Sequence, residues 1–182
     1  MSTKHTLVST RRFTARVPLS EYIANYRRAD YFLALCAQCR NYGKRYGCPP
    51  FDIDIIQTLS GYSVIDLVGI QIIPQEQGLP LSAAEELMEP VISELSQELL
   101  TREALTAGMA FGFAGGCKLC GEQPCARTEG APCRHPDKVR PSLEAYGFDL
   151  SKTALQLLHK PLLWGRDNTL PPYLMLIGGI VS

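Results

Sequence analysis

Seven cysteines confined to two short segments constrain this chain more than any other feature. Three lie in CAQCRNYGKRYGCPP, at Cys36, Cys39 and Cys48, and four in GGCKLCGEQPCARTEGAPCRHP, at Cys117, Cys120, Cys125 and Cys133. Each segment opens with C-x2-C, a spacing that turns two thiolates onto one inorganic centre, and then adds single cysteines at irregular gaps. Thiols placed in this way are paired, metallated, redox-active or buried. The N-terminal stretch MSTKHTLVSTRRFTARV has no continuous apolar core of the kind a secretory signal needs. No apolar run approaches the ~20 residues that span a bilayer. The expected location is therefore cytoplasmic, without membrane association. There thiols stay reduced and clustered cysteines bind metal more often than they form disulfides, and an odd count leaves one unpaired in any case.

The metal follows less directly. Structural zinc favours two paired C-x2-C hooks closing a tetrahedron, whereas each segment here has one hook followed by single cysteines. An iron–sulfur cube takes four thiolates from a loop that wraps around it, often ending in Cys-Pro, as at Cys48-Pro49. Charge points the same way. Residues 36–48 and 117–140 together hold eight bases against three acids, +5, in a chain whose total of 18 bases and 18 acids is neutral. Cations beside a four-thiolate cluster offset its negative charge and tune its potential. Arg127 and Arg134 are the candidate cations. The expected cofactor is thus one or two [4Fe–4S] clusters, with zinc as the alternative. Cys117, Cys120, Cys125 and Cys133 would hold one cluster. Cys36, Cys39 and Cys48 would hold a second with one iron open, or with His135, His5 or a carboxylate as fourth ligand. All seven thiols gathered at one locus is a further arrangement. The spacing is not the C-x3-C-x2-C of radical S-adenosylmethionine enzymes, and the glycines of GFAGG make no nucleotide fingerprint.

The remaining pattern predicts an α/β fold: a single layered domain over 1–182, with a small central sheet, flanking helices and the two cysteine-rich loops at 36–50 and 115–136. With 46% hydrophobic and 20% charged residues the chain can build a core of ordinary size. FTARV, the β-branched run SVIDLVGIQII, MAFGFAGG and PYLMLIGGIVS read as strands. Helices are expected over EYIANYRR with Ser20 as cap, over FDIDIIQTLSGY, and from a Ser82/Glu85 capping box to about Leu105 with Pro90 kinking or dividing it. Two more are expected, over PSLEAYG and over DLSKTALQLLH from Asp149. Glu144 reads as a helix-surface carboxylate and Trp164 as a packing residue. Zero net charge gives no reason to expect nucleic acid as a partner.

The combination of C-x2-C, then YG and CPP, later GGC-x-LC, PCRHP and RPSLEAYGFDL resembles a prokaryotic family of predicted metal-binding proteins, domain of unknown function 2284. The resemblance runs from about the first cysteine segment to the last helix. It implies metal binding through all seven cysteines. The expected function is electron transfer or redox support for a partner enzyme. The alternatives are an enzyme whose three-cysteine cluster binds a small substrate or cofactor, and a zinc-stabilised interaction module.

Overall fold

The computed structural model describes residues 7–115 and 117–182; His5 and Gly116 lie outside the described residues. The expected core strand is the centre of the sheet. β2 (Val64–Pro74) lies between β1 (Val8–Pro18) and β4 (Leu174–Val181), and the short β3 (Met109–Phe111) flanks β4. The order is β1-β2-β4-β3 and every pairing is antiparallel, with Phe13 opposite Gly69 and Ile70 opposite Leu176. β-branched residues fit the pleated surface of a strand covered on both sides, and β2 is buried at Ile65 and continuously from Leu67 to Ile72.

Period two sends alternate residues of each strand to opposite faces. On one face Ile65 and Leu67 of β2 join Ile177 and Val181 of β4. Tyr22, Phe148, Leu150 and Leu158 cover them. These come from or flank α1 (Leu19–Tyr26) and α5 (Leu150–Gln156). On the other face Val68, Ile70 and Ile72 pack with Leu176 against Leu95 and Leu99 of α4 (Ala84–Thr106). The fold is mixed α/β, with helices on both faces of the sheet. α2 (Ala29–Ala37) and α3 (Ile55–Leu59) bracket the first cysteine segment.

Several local expectations need correction. α1 begins at Leu19 behind Pro18, not behind a Ser20 cap; proline already holds the φ of a helix start. The Ser82/Glu85 box does not form, because a 3-10 turn over Leu81–Ala83 feeds α4 and no side chain caps it. Pro90 does not divide α4. Both Pro90 and Glu86 are exposed, so the carbonyl that the proline leaves unpaired can be hydrated. α4 ends in a left-handed Ala107. PSLEAYG makes only a 3-10 turn over Glu144–Tyr146. Asp149 does cap α5, accepting from Lys152 N at 2.9 Å, and Asp54 caps α3 in the same way, each worth about 1 kcal/mol.

Candidate metal centre

Each cysteine segment hangs from a core element and closes on itself through backbone hydrogen bonds. Cys36 lies in the last turn of α2, and Cys39 N donates to Cys36 O at 2.9 Å, so the helical turn carries over into the C-x2-C hook. Gly43 N donates to Pro49 O at 2.8 Å and closes the loop behind Cys48. The second segment leaves β3. Turns bonded from Gly121 N to Lys118 O and from Thr128 N to Cys125 O fold it into a compact coil, ending in a 3-10 turn over Ala126–Glu129.

None of the seven thiols is in a disulfide; Cys39 is exposed and the other six are half-buried. Burial is the largest influence pushing the Cys36, Cys48 and Cys117 thiols up, and neighbouring thiols push the same way. Within each segment the nearby thiols add to this upward push. The two segments meet at one point: a Cβ on Gly47, the residue before Cys48, would lie 3.6 Å from Cys117 Cβ. No three His, Cys, Asp or Glu groups among the described residues converge on a single ion position.

The two loops are stitched together by reciprocal arginines. From the first loop Arg45 donates to Cys117 O, and its Nε donates to Asn41 Oδ1 at 3.1 Å. Asn41 Nδ2 in turn donates to Gly115 O at 3.2 Å. From the second loop Arg127 donates to Arg45 O at 2.9 Å, to Cys48 O at 2.6 Å and to Pro50 O. The Tyr46 hydroxyl donates to Ala131 O. A planar guanidinium fork suits several carbonyls at once. Two glycines permit the close packing behind this seam. A Cβ on Gly112 would lie 2.9 Å from Arg140 O, and one on Gly47 would lie 3.2 Å from the same atom and 3.6 Å from Cys117 Cβ.

The two candidate cations occupy different places. Arg134 Nη1 stands 4.0 Å from Cys120 Sγ while donating to Pro124 O at 2.8 Å, and Arg134 pairs with Glu129 at 3.6 Å. Arg127 has its hydrogen bonds on the carbonyls of the first loop. The backbone N–H of His135 points at Cys133 Sγ at 3.4 Å. Arg45, Asn41 and Gly47 were not singled out as functional from sequence, although Arg45 belongs to the acid-free basic run of the first segment; their partners in the second loop lie seventy or more residues away.

Glu144 also departs from expectation. The residue is half-buried, but its Oε2 is sealed from solvent with no hydrogen-bond partner. Burial pushes its carboxyl up, against the pull of its own backbone N–H and the Ser142 hydroxyl. Its charge reaches the Cys36 thiol and raises it further.

Two adjoining sets of reduced thiols on loops rich in N–H donors and cations are suited to soft metal ions. A family model described as "Predicted metal-binding protein (DUF2284)" matches residues 24–177. The chain belongs to this family. The match spans both cysteine segments and the elements that carry them. No curated protein and no solved structure matches the chain.

Proposed function

We propose that this DUF2284 protein is an iron–sulfur protein serving electron transfer or redox support for a partner enzyme. The observation that carries the reading is the seam at which Arg45 bonds the Cys117 carbonyl, Arg127 bonds the Cys48 carbonyl and Gly47 packs on Cys117, so that the three-cysteine and four-cysteine loops meet under cationic cover. Cys117, Cys120, Cys125 and Cys133 would hold one [4Fe–4S] cluster, and Cys36, Cys39 and Cys48 would hold a second. Such clusters supply one-electron transfer when bound. The chain's own residues do the rest. Arg134 beside Cys120 and the His135 N–H at Cys133 offset thiolate charge, which favours the reduced level of a bound centre. Arg45 and Arg127 fix the spacing of the two loops, and half-burial of six of the seven cysteines limits water.

A single zinc ion would need four thiolates about 2.3 Å from one point, hence about 3.8 Å from each other. No such group of donors is found among the described residues, so the preference for a cluster rests on the single hook and irregular gaps of each segment and on the loop cations. The partner we propose has an acidic docking surface. α2 presents Tyr31 and Leu35, 51% and 47% exposed, and the exposed cations Arg40 and Lys44 follow in the chain just past Cys36 and Cys39. A reducing compartment such as the cytoplasm suits thiols kept free. The described helices include none long and apolar enough to cross a membrane.

Anaerobic purification followed by iron and acid-labile sulfide analysis tests this reading. We expect at least four irons and four sulfides per chain with brown visible absorbance, values that follow from one four-iron cube. Colourless protein with stoichiometric zinc would contradict it.

A further inference from the structure

A cavity of about 310 Å³ opens beside β4 where β3 stops short. β3 pairs only with Gly179, Ile180 and Val181, so residues 174–178 have no strand partner on that side among the described residues. The chain turns away at Gly112, which bridges to Ser142 instead. The space left at this sheet edge is walled by Met88, Phe113, Leu150, Leu162 and Met175. Trp164 stands at its rim and is 74% exposed, with Leu81 and Leu163 also uncovered nearby.

Glu144 is the one acidic residue lining this apolar space, and its carboxyl carries the sealed oxygen without a partner. No described Lys, Arg or His forms an ion pair with it. A concave, mostly apolar site with a small number of placed polar groups is the usual form of a small-molecule site. The walls call for a ring-sized hydrocarbon body, the carboxyl calls for a cationic donor that the protein does not supply, and an exposed tryptophan favours both an aromatic ring and a cation. We propose that the cavity binds a small aryl-alkyl primary amine whose ammonium group pairs with Glu144 beneath Trp164. This goes beyond the iron–sulfur reading and does not depend on it, since every group involved belongs to the cavity and not to the cysteine loops.

Calorimetric titration of the metal-loaded protein with phenethylamine, and separately with 3-phenylpropionate, tests the proposal. The amine is expected to bind saturably and at least tenfold more tightly than the carboxylate. Glu144→Gln should lower amine affinity at least tenfold, and Ala84→Phe, which adds bulk to the cavity lining from α4, should do the same by a different route. Equal affinity for amine and carboxylate, no binding of the amine, or amine affinity unchanged in both variants would each overturn it. Metal content measured on the same samples keeps this outcome separate from the fate of the iron–sulfur reading.

Discussion

At the scale of single residues, Arg127 ties the two cysteine loops together. Its guanidinium serves three backbone carbonyls of the first loop and lies 5.9 Å from the centre of the Tyr46 ring. Hydrogen bonds from a charged donor are worth about 1.5–3 kcal/mol each, and they are not additive. Arg127→Ala should therefore destabilise the fold by about 3 kcal/mol, read by denaturant unfolding. It should also speed the loss of metal to a chelator. Arg127→Lys should recover little, because a point charge cannot span three carbonyls as the planar fork does. Full recovery by lysine would mean that charge alone, not the fork, holds the seam. The confinement of the cysteines to two loops, and their candidacy as ligands, was legible from residue type and spacing. The unpartnered oxygen of Glu144 was not, since nothing in PSLEAYG reveals that Leu143 and Tyr146 on either side of it are core residues.

At the scale of elements, the joint between α4, β3 and the end of the second cysteine loop is electrostatic. Glu103 on α4 accepts from Ala110 N of β3 at 2.6 Å and from Arg140 Nε at 2.8 Å, and it forms an ion pair with Arg140. Burial acts to raise the Glu103 carboxyl, but the Arg140 hydrogen bonds, the Ala110 N–H and the Arg140 charge outweigh it and hold the group below its ordinary range. The unfolded chain thus takes up this proton at higher pH than the folded one. The joint contributes its full stability above the unfolded carboxylate range near pH ~4.3. That contribution is lost as pH falls through the lowered folded value. Glu103→Gln should cost about 2 kcal/mol at pH 7 and flatten the acid limb of the stability profile, as followed by thermal melts between pH 3 and pH 7 (a range set by the ~4.3 reference). An unchanged acid limb would show that the joint is not the acid-sensitive link. Strongly patterned or capped elements were the legible ones. β2 and β4 follow from continuous apolar runs, and α5 from its Asp149 cap. β3 was legible as a strand but not in its length, because only three residues of MAFGFAGG pair before Gly112 turns the chain toward Ser142, where it packs on the Arg140 carbonyl, 28 positions further on.

At the scale of the whole molecule, an open antiparallel sheet with helices on both faces delivers both cysteine loops to one seam. α2 brings the first and β3 brings the second. Sequence alone left open whether the seven thiols gather at one locus. The fold packs Gly47, the residue before Cys48, on Cys117, and the +5 of the loops is set against a chain that is neutral overall. The meeting depends on backbone contacts between segments far apart in sequence, such as Gly47 against Arg140 O, and spacing within either segment carries no trace of them. The central claim is that the sulfurs are thiolate donors to inorganic ions. The most direct measurement is maleimide labelling under native conditions, before and after metal removal, read by intact mass. The account predicts that the seven thiols of the loaded protein resist labelling and that all seven take the label once metal is stripped. Equal labelling in both states, or a stripped chain that needs a reductant before its thiols react, would contradict it.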